Sequence, residues 1–256
     1  MSKIAFLFPG QGAQNVGMGK AAFERFDAVK QLFEQASDIL GYSIKDICFD
    51  GPEAKLNSTE ISQPALYVTS MAAVEVLKQT HPDAVQACAG VAGLSLGEYS
   101  ALAFSGVIGF EDGLRLVQKR GQAMQAAAEA CESGMVSVLG LDAEKVQQVC
   151  EDARIEGEIL QPANFLCPGN IAVSGHKASC DQVESVAAQA GAMKSVSLAV
   201  AGAFHTPIMD AAVEPLTAAV NGTTFSDSRI PVYCNCLLYT SPSPRDATLS
   251  RMPSSA

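Results

Sequence analysis

Short apolar runs that end in glycine alternate along the chain with stretches whose apolar residues recur every three or four positions. The first pattern predicts strands and the second helices. Lys3 to Phe8 is an apolar run stopped by Pro9-Gly10, which predicts a first buried strand. Ala21 to Gly41 and Pro64 to Thr80 have helical spacing, the second with proline at its first position and Gln63 just before it. Asp50 to Glu60, between them, is a polar loop. Ala87 to Ala92 is small, apolar and uncharged, as a buried strand is. Glu98 to Phe104 follows as a helix with an acid in its first turn and Gly106 to end it. This β-α-α-β-α order suits a parallel sheet with helices on both faces.

From Gly134 the pattern changes. Met135 to Leu141 reads as a strand and Ala143 to Arg154 as a helix. Ile159 to Asn164 and Asn170 to Ser174 are strands around Pro168-Gly169; Ala178 to Ala190 is a helix and Met193 to Val200 a strand. The order β-α-β-β-α-β is that of a ferredoxin-like unit. The expected class is α/β, with such a subdomain at 131–200 inserted into a larger domain made of 1–130 and 201–235.

Composition narrows the function. The 256 residues are 48% hydrophobic and 17% charged, enough for a substantial core, and the net charge of -10 without a Lys/Arg run argues against nucleic acid or an anionic membrane as partner. No apolar run reaches the eighteen residues of a membrane span, and the N-terminus lacks a basic-then-apolar signal. Eight cysteines are scattered without pairing, mostly among apolar neighbours, as in a reducing compartment. A cytoplasmic protein is expected.

The chemistry centres on Gly93-Leu94-Ser95-Leu96-Gly97, a G-x-S-x-G pattern between a predicted strand and a predicted helix. Flanking glycines permit a sharp turn that projects the Ser95 hydroxyl, and the helix behind it aims the N–H of Leu96 at a developing oxyanion. An ordinary Gly/Ser turn is the bland alternative, and the strand-turn-helix context favours the catalytic one. Gln11, in the glycine-rich loop after the first strand, is placed to offer a second oxyanion donor from its backbone. That loop is neither a dinucleotide fingerprint nor a phosphate loop, since the required third glycine and Gly-Lys-Ser/Thr are missing. In the helix from Asp112 to Cys131, Gly113, Leu116, Val117, Ala123, Met124 and Ala127 share a face at about 100° per residue. Arg120 falls in the middle of that face and needs a carboxylate, from the protein or from a ligand. Of three histidines, only His205 follows a buried-looking strand, where it can act as base for Ser95, imidazole in general having an unperturbed pKa of about 6.5 that suits proton transfer near neutrality. Cys234-x-Cys236 has no second pair and no H-E-x-x-H is present, so no metal site is expected.

Five segments, in this order, resemble the malonyl-CoA:acyl-carrier-protein transacylases: Pro-Gly-Gln-Gly-Ala-Gln at 9–14, Gln-Pro-Ala-Leu at 63–66, Gly-Leu-Ser-Leu-Gly-Glu-Tyr-Ser-Ala-Leu at 93–102, Gln-Lys-Arg-Gly at 118–121 and Gly-Ala-Phe-His-Thr-Pro-Ile-Met at 202–209. The resemblance implies an α/β-hydrolase-like core and a malonyl-serine intermediate on Ser95, with His205 as base and Gln11 and Leu96 as oxyanion hole. It implies Arg120 on the malonyl carboxylate, with Gln63, Asn164 and Phe204 lining the substrate site. Malonyl-CoA is then the donor, and the phosphopantetheine thiol of acyl carrier protein the acceptor. No resident cofactor is implied, and a monomer is expected. Arg115, Lys119 and Lys177 are candidates for a basic docking surface. The resemblance stops near Cys236, and 236–256, rich in proline and serine, reads as a foreign, disordered tail on a C-terminally truncated chain. The competing readings are a serine esterase or thioesterase using the same Ser-His pair and an inert fragment.

Overall fold

Backbone pairing sorts the described strands into a parallel sheet and an antiparallel one. The computed structural model describes residues 3–235; the expectation for 236–256 lies outside them. In chain order the first elements are β1 (Ile4–Phe8), α1 (Lys20–Arg25), α2 (Asp27–Leu40), α3 (Ile44–Asp50), α4 (Glu53–Leu56), α5 (Thr59–Thr80) and α6 (Pro82–Gln86). There follow β2 (Cys88–Gly93), α7 (Gly97–Ser105), α8 (Phe110–Glu129), β3 (Ser133–Leu139), α9 (Ala143–Ala153), β4 (Leu160–Cys167) and β5 (Asn170–His176). The last are α10 (Lys177–Gln189), β6 (Lys194–Ser197), a 3-10 helix (Pro207–Ala212), α11 (Val213–Asn221) and β7 (Val232–Tyr233). Two compact units separate among these residues, 3–122 with 216–235, and Ala123–Pro215.

In the first unit β2 is the central strand of a parallel sheet ordered β1-β2-β7. The predicted run from Ala87 is this strand, and α7 behind it packs on all three strands. Phe8, Val91, Leu102, Phe104 and Val232 close the core between helix and sheet. A larger apolar cluster forms among the helices around Val29, Phe33, Ile44, Leu56, Tyr67, Leu114 and Val117, each buried side chain contributing about 1.5–3 kcal/mol.

Three helical expectations are corrected here. The stretch from Ala21 to Gly41 is two helices, because Phe26 is extended (φ -126°, ψ 117°) and Asp27 opens a new first turn. The polar loop Asp50 to Glu60 contains α4. Most consequentially, α5 begins at Thr59, five residues before Pro64, so that Pro64 lies inside the helix and Gln63 on it. Thr59, Ile61, Ser62 and Gln63 are all buried, and the packing of that extra turn outweighs the backbone bond that proline cannot donate.

In the second unit the sheet order is β4-β5-β3-β6, antiparallel throughout, and α9 and α10 pack together on it. Val136, Val138, Val146, Val149, Leu160, Val173 and Val183 fill the layer between, completing the ferredoxin-like arrangement. The unit also takes in 123–130 and 201–215, because Phe204, Met209 and Ala212 pack on Met124, Ala127 and Ala128 of α8 and on Met135 of β3.

Candidate active site

At the end of β2 the chain makes the turn that the glycines foreshadow. Ser95 has φ 49°, in the left-handed region where a residue with a Cβ is strained, which costs about 1–3 kcal/mol. Both flanking glycines are obligatory for space. A Cβ on Gly93 would overlap the Gly97 carbonyl group, and one on Gly97 would overlap the Phe8 carbonyl oxygen. The turn is tied by Gly97 N–H to Leu94 O (2.8 Å), Glu98 N–H to Ser95 O (3.2 Å) and Tyr99 N–H to Leu96 O (3.0 Å). The N–H of Leu96 precedes the first of these, at the helix end where backbone donors have no intrahelical partner. Leu94 N–H bonds Phe8 O (3.1 Å), and a Cβ on Gly10 would stand 2.5 Å from Leu94 O, so the Gly10-Gln11 loop lies directly on the elbow. The side chain of Gln11 is anchored there by donating to Thr59 Oγ1 (3.2 Å).

Arg120 reaches the same place from α8. The residue is 8% exposed; Nη1 donates to Gln63 Oε1 (2.8 Å) and Nη2 to Ser95 Oγ (2.9 Å). Both partners are neutral, so neither supplies the countercharge that the apolar face of α8 led us to expect. The Tyr99 ring faces the guanidinium with its centroid 5.7 Å from Cζ, a cation–π contact. Burial holds the Arg120 pKa below its ordinary value, and Tyr99 acts against that; burial raises the Tyr99 phenol, and Arg120 acts against that. Gly121 makes the approach possible, since a Cβ there would lie 2.8 Å from Thr59 O. Ser95, Leu96, Gln11, Gln63 and Arg120 are thus gathered at one end of the parallel sheet.

Three other residues singled out in the sequence stand in the second unit. His205 is half-buried and, like Ser95, left-handed, with φ 62°. Its turn is braced by Thr206, whose hydroxyl donates to Ala203 O (2.7 Å) and accepts from Ile208 N–H (3.3 Å), and by Gln161 Nε2, which donates to His205 O (3.4 Å). Phe204 is buried beside Met209 and Met124. Asn164 lies on β4 opposite Ala172, where the register shifts after Pro162.

With this geometry in view, comparison with known proteins is decisive: the acyl transferase domain model matches residues 5–250. The chain belongs to the acyl transferase family. It is 40% identical over 237 residues to malonyl CoA-acyl carrier protein transacylase of Bacillus subtilis, covering 92% of this chain and 73% of that one. The protein of the same name from Staphylococcus aureus is 40% identical over 235 residues, covering 92% and 74%. Among solved structures, a malonyl-transacylase in complex with its type II PKS acyl-carrier protein superposes with a TM-score of 0.90 at 35% identity, over 97% of this chain and 80% of that one. The malonyl CoA-acyl carrier protein transacylase of Coxiella burnetii gives 0.89 at 31% identity, over 96% and 78%.

Sequence reasoning missed several residues of this acyl transferase's elbow. Thr59 and Tyr99 steady Gln11 and Arg120, and Asn235, just beyond β7, bonds to both sides of the turn at Ser95. The polar opening Ser58-Thr59-Glu60 was the available signal that α5 starts early. Among the described residues no helix is long and apolar enough to cross a membrane, and no group of three His, Cys, Asp or Glu is placed to hold a metal.

Proposed function

We propose that this acyl transferase moves a malonyl group from malonyl-CoA to the phosphopantetheine thiol of acyl carrier protein, by way of a malonyl ester on Ser95. The observation that carries the reading is the buried Arg120 guanidinium held 2.9 Å from Ser95 Oγ, both of its hydrogen-bond partners among the described residues, Gln63 and Ser95, being neutral. A cation so placed favours an acyl group that brings its own carboxylate. The names of the similar proteins support the same donor and acceptor.

In the first half-reaction Ser95 Oγ attacks the thioester carbonyl as His205 takes its proton. The N–H groups of Leu96 and Gln11 receive the oxyanion. Collapse breaks the C–S bond, and the CoA thiolate leaves with the proton from His205. In the second half-reaction the phosphopantetheine thiol gives its proton to His205 and attacks the ester. The C–O bond breaks, and Ser95 recovers its proton. One thioester replaces another, so the chemistry calls for no resident cofactor or metal. Arg120 turns from Ser95 Oγ to the malonyl carboxylate, with Gln63 orienting its other nitrogen; Asn164 and Phe204 line the acyl site. Residues 1–130 and 201–235 serve as the catalytic core and 131–200 as the inserted subdomain, in a cytoplasmic monomer. Lys119, and Arg115 and Lys177 even though they pair with Glu111 and Asp181, are the candidates for positive charge toward an acidic carrier protein.

The test is the intact mass of the chain after brief mixing with malonyl-CoA. One malonyl adduct is expected, absent from Ser95→Ala and discharged by the carrier protein's thiol. Absence of the adduct from folded protein would refute the reading, and an adduct discharged to water as fast as to the carrier would make the chain a thioesterase.

A further inference from the structure

The parallel ladder between β2 and β7 is short. It registers Val91 with Val232 and Ala92 with Tyr233, and continuing it by two residues sets Leu94 opposite Asn235. In a parallel ladder a residue donates its N–H to the carbonyl before its opposite number and accepts, on its own carbonyl, the N–H after it. Those two groups, flanking Leu94, are the carbonyl of Gly93 and the N–H of Ser95. Here the side chain of Asn235 makes both bonds: Nδ2 donates to Gly93 O, and Oδ1 accepts from Ser95 N–H at 2.6 Å. A carboxamide has the same planar donor and acceptor as a peptide group, so it extends the ladder where the elbow turns out of the sheet and the backbone of β7 has already ended.

We propose that Asn235 is a positioning residue for the nucleophile: its carboxamide acts as a surrogate peptide group that clamps the strained turn at Ser95. This rests on the assignment of Ser95 above. The two bonds close on either side of Leu94 and oppose relaxation of the positive φ of Ser95. Because Leu96 follows directly, the same clamp sets the direction of its N–H.

The test uses the full chain with Asn235→Leu and Asn235→Asp, labelling Ser95 with a fluorophosphonate and acylating it with malonyl-CoA. The leucine variant removes both bonds at similar volume. It should slow labelling and kcat by roughly ten- to a hundredfold, the penalty for displaced catalytic groups, and leave KM for malonyl-CoA nearly unchanged. The aspartate variant keeps the acceptor but, when ionised, faces the Gly93 carbonyl with a second acceptor. Taking up a proton restores the donor. Its labelling rate, as a fraction of the parent's, should therefore rise as pH falls from about 8 to about 5.5, since repulsion by the carbonyl lifts the carboxyl pKa. A merely structural role would not give that pH-dependent rescue. Labelling of the leucine variant at the parent rate, or an aspartate-to-parent ratio flat in pH, would overturn the proposal. Should both variants fail to fold, amide exchange in the unmodified chain decides: a protected Ser95 N–H is expected, and rapid exchange overturns the clamp. Failure of the parent to accept malonyl would sink the acyl-transfer reading alone, because labelling and exchange report on the clamp without malonyl-CoA.

Discussion

Arg120 is 8% exposed and bonds two neutral acceptors among the described residues, and in the proposed function it is the side chain on which substrate choice depends. Its cost of burial is offset by Gln63, Ser95 and the Tyr99 ring, and a carboxylate on the acyl group would complete the set. A hydrogen bond to a charged group contributes about 1.5–3 kcal/mol, so Arg120→Ala should lower the rate of malonyl transfer by roughly ten- to a hundredfold. Acetyl transfer, which has no carboxylate to place, should fall far less. Steady-state rates with malonyl-CoA and acetyl-CoA decide the matter, and equal losses with both would remove the carboxylate role. Arg120→Lys should recover little, because a single ammonium cannot span Gln63 Oε1 and the site of Ser95 as the planar fork does.

The elements that hold Arg120 depend on one close crossing, between α5 and α8 at Gly121. Alanine there would gain about 1 kcal/mol in helix propensity, but its Cβ would stand 2.8 Å from Thr59 O and 3.0 Å from Glu60 Cα, both backbone atoms that cannot swing aside. Gly121→Ala should therefore lower the melting temperature and, by pushing α8 off α5, reduce malonyl transfer more than acetyl transfer. An unchanged melting temperature would mean that the crossing is looser than this. The same crossing marks what could be read from the sequence. The elbow was legible because its signals are local: small apolar strand, glycines about a serine, then a helix. Arg120 was legible because a charge interrupts a periodic apolar face. The start of α5 was harder to read, because Pro64 imitates a first helical position and outweighs the polar opening at Ser58 to Glu60, and it is the tertiary burial of Thr59, Ile61, Ser62 and Gln63 that extends the helix past it. Asn235 was not legible; a lone asparagine acquires meaning only from strand register with residues 140 positions away.

Across the whole molecule, each unit encloses thiols that burial keeps protonated, and this sets an alkaline limit on stability. Burial pushes Cys48, in the helical cluster of the first unit, from 9.0 up to about 12. In the second unit it pushes Cys150 to about 12 and Cys180 to about 11. A thiol whose pKa is raised by folding stays protonated in the native state after the unfolded chain has lost its proton. The unfolded state then binds fewer protons, and stability falls with rising pH. The contribution is fully present below about pH 9 and is lost progressively as pH climbs through the folded values of about 11 to 12. Buried Tyr42 and Tyr67, also raised chiefly by burial, act in the same direction at higher pH. Self-repulsion in a chain of net charge -10 would mimic this trend, but it is screened by salt, whereas buried thiols are not. Urea midpoints followed by circular dichroism at about 0.5 M salt, where the Debye length is roughly 4 Å, should therefore be level up to about pH 9 and decline above it. Cys150→Ala with Cys180→Ala should flatten the decline for the second unit while lowering its midpoint at neutral pH, since the substitutions also remove packed sulfur. A midpoint that stays level to about pH 11, or a decline that high salt abolishes, would assign the alkaline limit to surface charge instead of to the thiols of the two cores.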